Sequence, residues 1–255
     1  MSLRFLLPVS VCLLTLPASA VTLASTVFNT AGNTDGWAAV NGTTLNSTAG
    51  QLQLTNATGV TRATLAFGSV TVGAVGDYVE VSYNVIFTNS TSGVNRQFET
   101  SLWDSASSDG YVGNFRIGTV AANNRFFETA ALSGTSVAST GATLITASGD
   151  STVSLRPTAT NNTYVHTITL RLEVTGTGMA LTYSGLDNGG VTRTIMATDS
   201  STPYLSFDRL DLNTWGNNNV NFAIDNVVVS TNVPEPSLAL LGSLGVLGLL
   251  RRRRA

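Results

Sequence analysis

The 255-residue chain carries thirteen basic residues, all of them arginine, against fifteen acidic ones and a single histidine. The absence of lysine excludes Schiff-base chemistry and a phosphate-gripping lysine loop, and the phosphate-binding glycine motifs are missing as well. Setting aside Arg4, Arg251–Arg254 and Glu235 at the two ends leaves eight Arg against fourteen Asp and Glu, net about −6. That balance argues against nucleic acid or anionic lipid as a partner, because both demand a basic face.

The first twenty residues place Arg4 before an apolar run from Phe5 to Leu16 and end in Ala18-Ser19-Ala20, the small-x-small pattern that a signal peptidase accepts. A signal peptide over residues 1–20 with cleavage after Ala20 is therefore expected. The only cysteine, Cys12, lies inside the apolar run and leaves with it, so the mature chain has neither thiol nor disulfide. Its stability must come from an ordinary hydrophobic core, which a domain of this length can bury.

After the leader the chain is rich in Thr, Ser, Val, Asn and Gly and broken by turn residues at short intervals, the composition of many short strands. Strands are predicted at 51–55, 60–70, 77–88, 96–104, 111–118, 151–156, 163–175, 178–184, 191–197, 204–212 and 220–229. The clearest is 77–88, with Val79, Val81, Tyr83, Val85 and Phe87 on one face and Glu80, Ser82 and Asn84 on the other. In 163–175, Tyr164, His166, Ile168, Leu170, Leu172 and Val174 share a face, and 178–184 returns after a Gly-Thr-Gly turn as a hairpin. No composition break or fixed-period repeat divides residues 21–231, so one all-β domain is expected, a two-sheet antiparallel β-sandwich.

The opening FNTAGNTDGWAAVNGTTLNSTAGQLQLTNA and the closing FAIDNVVVS resemble the first and last strands of concanavalin-like, carbohydrate-binding jelly rolls. The resemblance implies a jelly roll whose closing strand pairs beside the first. It also implies a structural calcium where those strands meet, with Asp225 as the candidate ligand; the alternative is an aspartate capping a turn or strand end. No other cofactor is implied.

A hydrolase of the concanavalin-like group would carry Glu-x-Asp-x-x-Glu on one strand, with nucleophile and acid on one face. The closest stretch, Glu99 to Asp104, puts its acids five residues apart and so on opposite faces. His166 continues an apolar stripe and reads as a core-edge imidazole, not as a triad base. One histidine and no mature cysteine exclude an ordinary zinc site. For binding, the strongest feature is residues 96–104, where Gln97, Glu99, Ser101 and Trp103 lie opposite Phe98 and Leu102. With Glu80, Ser82 and Asn84 on one neighbouring strand and Asn114 and Arg116 on another, they would form a shallow amide, carboxylate and guanidinium surface with a flat ring for stacking on sugar. The candidate glycan-binding residues are thus Gln97, Glu99, Trp103 and Arg116. The alternative is a tryptophan under a loop or a register read one residue off. Trp37 and Trp215 sit in Gly/Asn-rich turns and are expected as lids over the sandwich ends.

The chain closes, over residues 232–255, with Pro234-Glu235-Pro236, an apolar stretch from Ser237 to Leu250 and the cluster Arg251, Arg252, Arg253 and Arg254. The fourteen residues of this stretch make a short helix of about 21 Å against a hydrocarbon core of about 30 Å. The positive-inside rule keeps the arginines cytoplasmic and leaves the stiff Pro-Glu-Pro near the outer side of the membrane. This order resembles the PEP-CTERM sorting signal. The resemblance implies transient insertion of the tail in the inner membrane, recognition by an exosortase, and delivery to the cell surface or extracellular matrix. The expected function is a non-enzymatic surface protein that binds or scaffolds extracellular polysaccharide. The alternatives are a polysaccharide-active glycosidase or lyase and a purely structural adhesin.

Overall fold

Alternation of apolar and polar residues sets the longest strands, and a computed structural model shows how they pair. It describes residues 19–48, 50–56, 60–88, 97–118, 124–129, 143–145, 147–155, 163–215 and 220–233, with the backbone alone for Thr129, 143–145 and Trp215. Ser19 and Ala20 are exposed ahead of the first strand; the rest of the expected leader, Ala18 included, lies outside the described residues. So does the sorting tail from Pro234 onward, with Glu235, Pro236 and Arg251–Arg254.

In chain order the strands are β1 Val21–Thr26, β2 Trp37–Val40, β3 Thr44–Thr48, β4 Gln51–Thr55, β5 Arg62–Thr71, β6 Tyr78–Phe87, β7 Gln97–Trp103 and β8 Gly110–Arg116. They continue with β9 Arg125–Thr129, β10 Thr143–Ile145, β11 Ser148–Gly149, β12 His166–Thr175, β13 Gly178–Leu186, β14 Thr192–Asp199, β15 Ser206–Trp215 and β16 Phe222–Thr231. One sheet has nine strands in the order β11-β14-β13-β12-β6-β16-β4-β3, with β1 also on β16. The other has seven, β10-β9-β8-β7-β15-β5-β2. All pairings are antiparallel, and no helix occurs among the described residues.

The expected inner face of β6, from Val79 to Phe87, is fully buried, as are Ile168, Leu170 and Leu172 of β12. They meet Phe98 and Leu102 of β7 and Phe115 of β8, each large side chain contributing about 1.5–3 kcal/mol by burial. Edge-on ring pairs, Phe87–Phe98 at 5.2 Å and Phe98–Phe222 at 5.3 Å, join the two sheets. A polar intrusion between the sheets is satisfied: Thr100 Oγ1 bonds both Tyr83 OH and Tyr183 OH, the latter at 2.7 Å. At Gly113 a Cβ would stand 2.8 Å from the Tyr183 ring, so only glycine admits this close approach of the sheets. The predicted hairpin is present, Thr175 pairing with Gly178 across Gly176-Thr177, and the closing strand β16 lies beside β1.

Three expectations are corrected. Residues 151–155 form turns, not a strand: Asn124 Nδ2 donates to the carbonyls of Asp150 and Val153, and Ser154 Oγ donates to that of Arg116, so side chains hold this segment off the ladder. Trp37 is no lid; it opens β2 with 3% of its surface exposed, and its Nε1 donates to Thr26 Oγ1. Trp215 closes β15 instead of sitting in a turn.

Candidate functional site

Because successive residues of a strand point to opposite faces, the inward Phe98, Thr100 and Leu102 of β7 force Gln97, Glu99, Ser101 and Trp103 outward. Register then assembles a row across the seven-stranded sheet. Glu99 stands opposite Asn114 of β8 and Asn213 of β15; Asn114 faces Arg125 of β9, and Asn213 faces Arg62 of β5. One step along, Ser101 stands opposite Asp211 of β15, which faces Thr64 of β5. In the other direction, Gln97 pairs with Arg116.

The sequence reading expected this face to be wet. Instead Gln97, Glu99, Asn114, Asp211 and Asn213 are at most 2% exposed, Arg62 is 3% and Arg116 is 9%. Of the four candidate glycan contacts only Trp103, at the end of β7, is half open. Alternation identifies a polar face but not its cover, which is why three of the four were misread as exposed. Asn114 and Arg116 do neighbour β7 as expected, but Glu80, Ser82 and Asn84 do not. β6 belongs to the other sheet, where Glu80 binds Arg171, whose guanidinium lies 3.7 Å over the Tyr78 ring.

The buried row is held by charge-assisted hydrogen bonds. Asn114 Nδ2 donates to Glu99 Oε1 at 2.9 Å, and Asn213 Nδ2 donates to Oε2 at 2.8 Å. Asn114 Nδ2 also reaches Gln97 Oε1. Arg62 grips Asp211 Oδ2 through Nε at 3.0 Å and through Nη2. Burial lifts the Glu99 carboxyl above the usual range, resisted by the two amide bonds and by the charges of Arg125 and Arg62. Burial, and then the neighbouring Arg125, hold the Arg116 guanidinium below its ordinary value.

Nine buried polar atoms of this face have no hydrogen-bond partner among the described residues. On β5 and β15 they are Thr64 Oγ1, Asp211 Oδ1 and Asn213 Oδ1; on β7, Ser101 Oγ and Trp103 Nε1; on β8 and β9, Asn114 Oδ1, Arg116 Nε and Nη1, and Arg125 Nε. They comprise donors on Trp103, Arg116 and Arg125, acceptors on Asp211, Asn213 and Asn114, and the hydroxyls of Thr64 and Ser101.

No family model and no curated protein matches the sequence. Solved structures do resemble the fold. A Bacillus subtilis protein of unknown function with a galectin-like fold aligns at a TM-score of 0.52 and 10% identity, over 82% of this chain and 94% of that one. Lectin II from Ulex europaeus aligns at 0.52 and 11% identity, over 86% and 100%. The basic winged bean lectin with Tn-antigen aligns at 0.51 and 11%, over 85% and 100%. The fold is a lectin-like jelly roll.

Within this lectin-like jelly roll the other expected sites fall elsewhere. Asp225 lies in a β-bulge of β16, where Asn226 takes a left-handed φ of 52° and donates to Asp225 through both its backbone N–H (2.7 Å) and its Nδ2 (2.9 Å). Among the described residues no three His, Cys, Asp or Glu side chains converge, and both Asp225 oxygens accept from Asn226 within the bulge. Asp225 also borders a shallow hollow with Gln51, Asn84, Ile86 and Val165. Two of the hollow's polar groups are engaged, Asn84 Oδ1 by Thr167 and Asp225 by Asn226. His166 is the core-edge imidazole expected: fully buried, its Nδ1 is 2.9 Å from the Leu186 carbonyl oxygen and its ring packs between Phe87 and Tyr164. Sequence reasoning missed Arg62, Asp211, Asn213 and Arg125 as members of the site. The signal for two of them was present: Asp211 and Asn213 alternate with Leu210 and Leu212.

Proposed function

We propose that this is an exported, non-enzymatic protein of the cell surface or extracellular matrix that binds extracellular polysaccharide on the outer face of its seven-stranded sheet. The observation that carries the reading is the concentration of unpaired donors and acceptors there, bordered by half-open Trp103. The lectin-like fold supports it, since two of the similar structures are lectins, one of them with Tn-antigen. Trp103 supplies the stacking surface at the rim, and the buried amide, carboxylate and guanidinium row fixes the strands behind it. An enzymatic role is less well served: both Glu99 oxygens are held by amides and Asp211 Oδ2 by Arg62. Glycan-array binding by the mature protein is expected, weakened about three- to tenfold by Trp103→Ala, the loss of one aromatic contact. Failure to bind any glycan at millimolar concentration would leave a matrix scaffold only, and turnover of a polysaccharide abolished by Glu99→Gln would make it an enzyme.

Delivery rests on the two ends. The leader ending at Ala20 exports the chain, and the tail from Pro234 to Ala255 holds it in the inner membrane for an exosortase to process. Replacing Pro234, Glu235 and Pro236 by alanine should leave a full-length form in the inner-membrane fraction; unchanged mass and release to the surface would refute the sorting role.

A further inference from the structure

Six arginines of the body are described, and four of them pair with carboxylates: Arg62 with Asp211, Arg171 with Glu80 and Glu173, Arg193 with Asp150 and Asp187, and Arg209 with Asp208. The two that do not, Arg116 and Arg125, are neighbours. Arg125 stands opposite Asn114 on the β8–β9 ladder, and Arg116 is the next outward residue of β8. Such diagonal positions are about 7–8 Å apart, within reach of one ligand group for side chains this long.

Their placement is built, not incidental. The backbone of Arg116 is clamped by three bonds: its N–H donates to Asn124 Oδ1 at 2.8 Å, and its carbonyl accepts from Leu155 N at 2.9 Å and Ser154 Oγ at 3.0 Å. Its side chain is more than nine-tenths buried, with Nε and Nη1 unpaired. Arg125 is half-buried, its guanidinium 5.1 Å from the Phe127 ring centroid and its Nε unpaired. The nearby carboxylate, Glu99, feels the charge of Arg125 but forms no ion pair with either arginine; its two oxygens accept from Asn114 and Asn213. Two cations thus stand at neighbouring outward positions, one buried and one half-buried, with unpaired donors and no ion pair to a carboxylate among the described residues. Guanidinium forks of this kind match a planar carboxylate or a sulfate.

Resting on the glycan-binding reading above, we infer that Arg116 and Arg125 form an anion subsite that selects an acidic sugar, its charged group a uronate carboxylate or a sulfate ester. The net negative charge of the body is no obstacle, because it acts over distances that salt screens at about 8 Å, whereas this pair acts at contact.

The test is calorimetric titration of the mature protein with an oligogalacturonate, its methyl ester and a sulfated galacto-oligosaccharide. At least one anionic probe should bind about tenfold or more tighter than the neutral ester, the size expected of hydrogen bonds to a charged group; which one does so names the anion. Arg125→Gln, at a half-open position, should remove most of that preference, and Arg116→Gln the rest, each read as the ratio of anionic-probe to methyl-ester affinity within the same variant. Equal binding of all three probes, or a preference that survives Arg125→Gln in a folded variant, overturns the anion subsite and leaves glycan binding standing. Binding of none at millimolar concentration overturns both.

Discussion

Substitution of Glu99 separates what its hydrogen bonds contribute from what its charge costs. The carboxylate is fully buried and accepts one amide N–H on each oxygen, from Asn114 and Asn213. Glu99→Ala removes both bonds and strands the Asn213 amide, whereas Asn114 keeps Gln97. At about 1.5–3 kcal/mol per bond to a charged group, and with relief from no longer burying a charge, a net loss of about 3 kcal/mol is expected. Glu99→Gln should cost only about 1 kcal/mol. Its amide can replace one acceptor by a donor because Asn114 Oδ1 and Asn213 Oδ1 are unpaired, and a flip of either asparagine restores the bond. The two variants also differ in pH response. Burial raises the Glu99 carboxyl, so the folded chain holds this proton at a pH where the unfolded chain, with its value of about 4.3, has released it. Stability from this group is therefore complete below that unfolded value and is lost as pH rises through the folded one. Relative to wild type, Glu99→Gln should be least stable at acid pH and recover toward neutrality. Urea unfolding at a series of pH values, read by tryptophan fluorescence, measures both effects. A Glu99→Ala variant as stable as Glu99→Gln, or a wild-type pH slope unchanged in Glu99→Gln, would refute the reasoning.

Arg62→Ala leaves Asp211 charged, 0% exposed and without its cation, and should lower stability by about 3–5 kcal/mol; Arg62→Met with Asp211→Leu should recover most of it. Urea midpoints for the pair decide the matter, and a single-variant loss below about 1 kcal/mol would show the ion pair to be dispensable. Gly113→Ala places a methyl group 2.8 Å from the Tyr183 ring, itself stacked 4.3 Å from Phe115. Overpacking of about 1–3 kcal/mol is expected, and an unchanged unfolding midpoint would mean that the sheets can part at this point.

The strands legible in sequence were those with one dry and one wet face. Val79 to Phe87 and Ile168 to Leu172 alternate cleanly because the sandwich interior lies on one side only, and the Gly176-Thr177 hairpin follows from its turn. β7 and β8 broke the rule. They are buried on both faces, so the polar residues at 97, 99 and 114 look like solvent residues in the sequence and are buried in the fold. Pairing was the second obstacle. β7 takes β15 as a neighbour across more than a hundred residues of chain, while β6, next to it in sequence, lies in the other sheet. No local pattern encodes that step, and so Glu80, Ser82 and Asn84 were placed on the wrong surface. Short strands such as Trp37–Val40 and Thr143–Ile145 carry too few alternations to register.

The composition of the outer face poses an energetic question whose answer favours a ligand-facing role. At about 1–3 kcal/mol for each buried polar atom left without a partner, the nine on this face would together equal or exceed the about 5–15 kcal/mol that holds a typical domain folded. A purely structural polar core would not be kept on those terms, since apolar residues of similar volume would pack there at no such cost. The inner face of the same sheet shows the contrast: its buried hydroxyl, Thr100, is bonded to both tyrosines that approach it. The chain thus satisfies Thr100 between the sheets and concentrates nine unpartnered buried atoms on the outer face, with others at Asn41 and Thr61. Ordered water or the hydroxyls of a ligand can complete groups so arranged. Trp103 and Arg125 are half-open members of this face, and at both positions binding and stability should respond independently to substitution.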